Sequence, residues 1–336
     1  MTGELRVGVV GAGAMGASHV RMLATWVPAA KLCAVYDADS ARAEHVAAAA
    51  DAVAVGSAEE LIDSADIDAV VIASPDPRHA EQVLACIAAE TPVLCEKPLA
   101  TDVAGSREIV AAEKVFAERT GRRLVQVGFM RRYDPAFVAL RAHVATGAIG
   151  TPRVVHCVHR NAASHPTATT EGIVVNSMIH ELDHVPWLLD DPVTAITVRV
   201  ARDTSDGSLG DPQVAVLELA SGVLATVEVF VNARYGYDVQ CEVVGDDGTS
   251  SLTPPYGIAV RSPAAASGGV SGVQVSSDFV HRFADAYRIE LADWVAATLR
   301  GTVDGPGARD GHRANLVAAA GVESLRTGAR VEVAAD

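Results

Sequence analysis

The strand-like run Leu5–Val10 ends on Gly11-Ala12-Gly13-Ala14-Met15-Gly16, and a helix-compatible stretch follows at once. A turn this rich in glycine, set between a first strand and a first helix, admits few folds. The first glycine permits a sharp turn, the second lets backbone approach a pyrophosphate, and the third lets helix and strand pack closely. Tyr36-Asp37 ends the second strand candidate 21 residues beyond Gly16, where a carboxylate meets the ribose of an adenosine. Glycines alone mark many tight turns; the strand, the helix and the acid together specify a dinucleotide. Asp37 bonds a ribose 2′-hydroxyl and repels a 2′-phosphate, so NAD is expected in preference to NADP. Arg42, inside the next helix, is expected to be solvated.

The rest of the first third keeps that rhythm. Strand candidates at Leu5–Val10, Lys31–Tyr36, Ala52–Val55, Ala69–Ala73, Pro92–Cys95 and Leu124–Val127 alternate with helical stretches at Ser40–Ala50, Ser57–Ser64, Pro77–Glu90 and Asp102–Thr120. Ser57 and Glu60 have the spacing of a capping box, and Gly121 closes the last helix. Such alternation predicts a parallel sheet with helices on both faces. Asp134-Pro135 then opens a helix that Gly147 ends. Longer alternating strands follow around 152–160, 192–201, 212–220, 223–232 and 238–245, without helices between the later ones, which predicts a mostly antiparallel sheet. Helices return at about 279–300 and 310–327, and 254–272 reads as a surface excursion. The expected class is α/β: an N-terminal Rossmann dinucleotide-binding domain over 1–123, and a C-terminal α+β domain with an open, mostly antiparallel sheet over 124–336.

At 336 residues, 49% of them hydrophobic, the chain can bury two cores. Its 42 acidic against 27 basic residues give a net charge of −15, which repels a phosphate backbone and makes nucleic acid a poor partner. Five cysteines without a C-x-x-C pair suit a reducing compartment; Cys33, Cys86 and Cys95 sit in apolar runs and read as buried hydrophobes. No basic leader and no apolar segment of membrane-spanning length is present, so a cytoplasmic protein with no membrane partner is expected.

Two further motifs bear on chemistry. Val93–Leu99 places Lys97 at the carboxyl end of the fifth strand, the edge at which open parallel sheets bind ligands, where it suits polarising a substrate oxygen. As plain structure it is a surface lysine after a strand. His180-Glu181-Leu182-Asp183-His184 spells H-E-x-x-H, the zinc-protease signature. A third ligand at a familiar distance is missing: Trp187 stands where the longer signature needs glycine, and no glutamate follows His184 until Glu218. No metal site is expected here. Glu181 and His184 are expected in helix-surface or inter-element contacts, with Trp187, Leu188 and Leu189 in the core.

Glu96–Thr101, Val125–Asp134, His159-Arg160-Asn161 and Asn232–Asp238 carry a resemblance over nearly the whole chain. The sequence resembles the Gfo/Idh/MocA oxidoreductases, and among them most nearly the inositol 2-dehydrogenases. The resemblance implies NAD-dependent oxidation of a cyclitol secondary alcohol, such as myo-inositol to 2-keto-myo-inositol (scyllo-inosose). It adds Ser74, Glu96 and Lys97 to the cofactor contacts and implies a cis Lys97-Pro98 bond. Members carry D-x-x-x-H at the start of a helix, the histidine taking the substrate's hydroxyl proton. The matching segment is Asn176–His180, which makes His180 the base and Asn176 its neighbour on one helical face, with asparagine where the family has aspartate. Lys97 then stabilises the developing alkoxide. Arg131, His159, Asn161, Ser177, Asp183 and Tyr235 are the candidates to grip a polyol, although Asp183 equally suits a pair with Arg131 or a helix neighbour, and Tyr235 a turn. A homotetramer built on the second sheet is also implied. Asn176 leaves room for another polyol, such as scyllo-inositol, an aminocyclitol or a pyranose sugar. A non-catalytic dinucleotide sensor is the rival of a different class, against which the retention of Lys97 and His180 weighs.

Overall fold

A computed structural model describes residues 3–201, 208–252 and 276–335; the excursion read at 254–272 lies outside them. By internal contact the chain forms two compact units, residues 1–130 with 286–315, and residues 131–285 with 316–336. A single cut at 123 therefore differs from this division. The sixth strand pairs with the fifth, and the chain re-enters the first unit near its end, where Gly307 bridges to Gln126.

The first unit runs β1 (Leu5–Val10), α1 (Ala14–Trp26), β2 (Ala30–Tyr36), α2 (Ser40–Ala48), β3 (Val53–Ala54), α3 (Ala58–Ile62), β4 (Ala69–Ile72), α4 (His79–Ala88), β5 (Val93–Glu96), α5 (Val103–Thr120) and β6 (Val125–Gly128). The strands form one parallel sheet in the order β3-β2-β1-β4-β5-β6. Helices on both faces explain why β4 is an unbroken apolar run: all four of its residues are buried, as are Val93–Cys95 of β5 and the Glu96 that ends that strand. Local signals set the helix ends. Asp102 accepts from Gly105 N at 2.8 Å, and Gly121 stops α5 in the left-handed region at φ 71. Ser57 Oγ accepts from Glu60 N at 3.0 Å, but the returning Glu60 carboxylate accepts from Gly56 N, one residue before the cap. The helix expected over Pro77–Glu90 is divided: Asp76–Arg78 form a 3₁₀ turn, and α4 starts at His79. Pro77 supplies no N–H, which suits the first turn only. Cys86 and Cys95 are buried, whereas Cys33 is only half-buried.

The second unit contains α6 (Pro135–Ala145), β7 (Pro152–Arg160), a single turn α7 (Thr170–Gly172), a π-helical stretch Ile173–Met178, α8 (Ile179–Leu189), β8 (Val193–Val200), β9 (Gln213–Leu219), β10 (Leu224–Phe230), β11 (Asp238–Gly245), β12 (Thr249–Ser251) and α9 (Phe279–Arg282). α10 (Ala284–Arg300), α11 (Ala308–Thr327) and β13 (Val331–Glu332) complete the chain. The sheet order is β12-β11-β7-β10-β9-β8-β13, antiparallel throughout except for β7 with β10. Burial alternates along β9, as expected of a sheet with only one face packed. The helix read over 279–300 breaks at Phe283, whose backbone leaves the helical region (φ −109, ψ 20) and whose buried ring lies edge-on to Tyr237. Among the described residues, no helix is long and apolar enough to cross a membrane.

Candidate active-site residues

In the first sheet the strand order reverses between β1 and β4, and ligands of such sheets bind beyond the carboxyl ends of the strands at that reversal. The three glycines after β1 answer to different constraints. Gly11 has φ +98, and a Cβ on it would lie 2.4 Å from Ala73 O. A Cβ on Gly16 would lie 1.8 Å from Gly11 O. Gly13 is the opposite case: a Cβ there would meet nothing within 4 Å. It is the N-cap of α1, no side chain caps that helix, and its first turn contains no acid. Ala14, exposed, and Met15, half-buried, form that first turn. The uncapped N–H groups and the open space at Gly13 suit an approaching pyrophosphate.

Asp37 closes β2 and ties the loop together. Its Oδ2 accepts from Ala12 N at 2.7 Å and its Oδ1 from Asp39 N at 2.9 Å. Arg42 is not simply solvated, as its position in α2 suggested. Its guanidinium folds back to Asp37 Oδ1 at 3.3 Å and to Asp39 at 3.2 Å, because both carboxylates lie within reach of one helical turn. A carboxylate has about four acceptor sites, so Asp37 retains capacity for a ribose hydroxyl. The loop, the uncapped helix and this acid fit NAD.

After β4, Ser74 Oγ donates to Gln82 Oε1 at 2.6 Å. Lys97 is half-buried after β5, and the Lys97-Pro98 bond is cis. Glu96, expected among the cofactor contacts, is turned inward instead: only 6% exposed, its Oε1 lies 2.7 Å from His19 Nε2. Burial alone would raise its pKa; the His19 hydrogen bond and charge, with Lys97, hold it below the ordinary carboxylate value. Sequence reasoning missed His19 and His79. His79 Nδ1 lies 2.7 Å from Pro98 O and Nε2 lies 2.9 Å from Ser74 O. A carbonyl only accepts, so both bonds form together only on the doubly protonated ring. That histidine ties the segment after β5 to the end of β4. No spacing rule singles out either residue, since each acts across the sheet.

In the second unit His180 is 7% exposed in the first turn of α8, its ring centroid 6.0 Å from that of His159 on β7. His159 Nδ1 faces Arg131 Nη2 and Glu181 Oε2, each at 3.2 Å, and its Nε2 lies 3.4 Å from the Tyr237 hydroxyl. Arg131 also pairs with Glu181, and both side chains are almost fully buried. Burial works to protonate Glu181, but Arg131 and then His159 outweigh it and hold the carboxyl at about 2. Glu181 and His184 are therefore interior residues in inter-element contacts, the second of the two expectations, and not helix-surface residues. Trp187 is only half-buried, with the Arg141 guanidinium 4.7 Å from its ring centroid, while Leu188 is in the core.

Asn176 and Ser177 lie in the π-helical stretch, not in an α-helix. The wider π turn still returns position 176 near position 180, and such turns recur at functional sites. Asn176 is exposed and Ser177 half-buried. Of the remaining candidates, Asn161 follows β7 with Oδ1 buried and accepting no hydrogen bond. Asp183 is held by Arg132, whose Nε donates to it at 3.0 Å, instead of by Arg131. Tyr235 donates to Asp238 at 2.7 Å and accepts from Arg160 at 3.1 Å, so it ties β7 to β11.

Residues 5–129 match the model of an oxidoreductase family with an NAD-binding Rossmann fold, and residues 137–251 match the GFO/IDH/MocA C-terminal domain. The chain is 48% identical over 333 residues to inositol 2-dehydrogenase 1 of Saccharopolyspora erythraea, covering 98% of this chain and 96% of that one. It is 45% identical over 326 residues to inositol 2-dehydrogenase 2 of Paenarthrobacter aurescens, covering 96% of each. The crystal structure of myo-inositol dehydrogenase from Lactobacillus casei, in complex with NAD(H) and myo-inositol, superposes with a TM-score of 0.90 at 33% identity, covering 99% of this chain and 98% of that one.

Proposed function

The chain belongs to the Gfo/Idh/MocA oxidoreductases, NAD-dependent enzymes, and from that premise we propose that it oxidises a cyclitol, myo-inositol first, to the 2-ketone scyllo-inosose. The observation that carries the reading is His180, sheltered on α8 beside His159 in a chain matching inositol 2-dehydrogenases along its whole length. NAD⁺, when bound, supplies the hydride acceptor. Gly11, Gly13, Gly16 and the first turn of α1 hold its pyrophosphate, and Asp37 its adenosine ribose. Oxidation removes a proton from the hydroxyl and a hydride from the same carbon. His180 takes the proton, as a neutral imidazole near working pH can. Lys97 donates to the oxygen as charge develops on it. Arg131, paired with Glu181, orients His159 and stays behind it. Asn161, with an open acceptor, and Ser177 are assigned to ring hydroxyls. Asp183 and Tyr235 act by holding Arg132 and Arg160.

The homotetramer and a cytoplasmic location belong to this same reading, the former testable by light scattering. A panel of cyclitols and sugars with NAD⁺ and NADP⁺, followed by reduced nicotinamide, tests the activity. The largest kcat/KM is expected with myo-inositol and NAD⁺. His180→Ala and Lys97→Ala are each expected to lower kcat by about a hundredfold or more while leaving NAD⁺ affinity within a few-fold. Wild-type protein that binds NAD⁺ and reduces it with no cyclitol refutes the proposal. A better pyranose or aminocyclitol substrate would favour the second reading, which rests on Asn176.

A further inference from the structure

The HELDH segment contributes one more group that the reaction does not use. We propose that Cys157, Cys241 and His184 form a buried site for a single thiophilic d¹⁰ cation, Zn²⁺ or Cu⁺ in class, fastening α8 to the sheet. Cys157 on β7 and Cys241 on β11 are directly opposite in an antiparallel pair, so their side chains share a face. Their sulfurs lie 3.9 Å apart, and His184 Nε2 lies 3.7 Å from Cys157 Sγ. The three donor atoms all fall within 4.8 Å of one another. Two sulfurs on one tetrahedral zinc are about 3.8 Å apart, and a sulfur and an imidazole nitrogen about 3.6 Å. Two of the three donor pairs thus stand at ligand spacing already, and the third, Cys241 with His184, lies within 4.8 Å.

The histidine is also set in the state that a ligand needs. His184 Nδ1 lies 2.8 Å from His180 O and must donate to it, which leaves the Nε2 lone pair directed at the sulfurs. The Phe137 ring packs edge-on at 4.8 Å between centroids and fixes the plane of the imidazole. All three residues are at most 3% exposed, and two thiols with an imidazole select soft or borderline cations over Mg²⁺ or Ca²⁺. Binding converts both thiols to thiolates, and their protons leave to solvent.

The test uses the reduced full-length protein after chelation, titrated with Zn²⁺ in competition with a chromophoric chelator, and with Cd²⁺ as the spectroscopic probe. One ion per chain, a thiolate-to-cadmium charge-transfer band and a raised Tm are expected. Cys157→Ser and Cys241→Ser should each weaken binding by more than about tenfold and remove the band, while Cys33→Ser changes neither. Zn²⁺ should also shield Cys157 and Cys241 of the wild type from slow alkylation, a measurement independent of whether a serine variant folds. No stoichiometric binding, or binding unchanged in both serine variants, or protection of other cysteines only, would overturn the proposal and leave a hydrogen-bonded thiol–imidazole core.

Discussion

The glycine loop after β1 and the polar cluster against α8 achieve their shapes by opposite means. Around Gly11 and Gly16 the backbone itself fills the space, and the chain leaves side chains out. Around Arg131, Glu181 and His159 the interior is filled with charge and hydrogen-bonding groups brought from a 3₁₀ turn, a helix and a strand. The loop is specified by consecutive residues; the cluster is specified by partners 28 and 50 positions apart. Tolerance follows the same division. The loop fails by overlap at one position, whereas the cluster fails when one partner is removed and the other stays behind.

The largest effect should come from the cluster. Arg131→Met leaves the Glu181 carboxylate buried without its counter-charge and should cost about 3–5 kcal/mol in urea unfolding, much of it recovered when Glu181→Leu is added. A single variant within about 1 kcal/mol of wild type would show that the pair matters little. The sign with pH is fixed by Glu181, whose folded value of about 2 lies below its ordinary 4.5. Its contribution is therefore complete above about 4.5 and is lost as pH falls towards 2. Glu181→Gln should flatten stability in that window relative to wild type.

In the loop, Gly16→Ala sets a Cβ against Gly11 O and should cost about 1–3 kcal/mol, together with NAD⁺ binding. Gly13→Ala meets open space, so it should keep stability within about 1 kcal/mol yet weaken NAD⁺ binding in calorimetry. Equal stability losses in the two variants would contradict the division of roles.

The same division explains what could be read without a structure. Strand β1 carries its residue-level limits in the sequence because its buried residues, Leu5 and Val7–Val10 around the half-buried Arg6, run straight into a glycine turn. The glycine loop was legible for the same local reason. The His79 bridge between Pro98 and Ser74, the inward turn of Glu96 and the capture of Asp183 by Arg132 were not, since each depends on pairing between elements remote in sequence. The π stretch was hidden as well: Ile173-Val174-Val175 reads as apolar whichever helix it joins.

A smaller effect belongs to Asp37. Asp37→Ser removes a charged acceptor from the ribose and a repulsion from a 2′-phosphate, and should shift the NAD⁺ to NADP⁺ ratio of kcat/KM by about tenfold or more. Because Asp37 also accepts from Ala12 and Asp39, unfolding of the variant must be measured beside its kinetics. An unchanged ratio at unchanged stability would make the acid a loop brace only.

The smallest expected effect sharpens the comparison from the helix side, where one exposed residue adjoins a buried cluster. Oxidation needs His180 neutral, so activity should fall on the acid side as the ring gains a proton. Asn176, four residues before it in the π stretch, contributes hydrogen-bonding capacity without charge. Asn176→Asp adds a negative charge that favours the imidazolium and should move the acid limb of the kcat profile upward. Position 176 is exposed, so solvent screens the charge and the shift should be about one pH unit, at the low end for a neighbouring charge. Profiles of both proteins with one polyol and saturating NAD⁺ decide the point. An acid limb that stays in place while His180→Ala abolishes oxidation keeps His180 as the base and removes Asn176 from its control. The His180 environment would then be set by the buried side, through His159, Arg131 and Glu181, which neither the charge nor the exposure of residue 176 can reach.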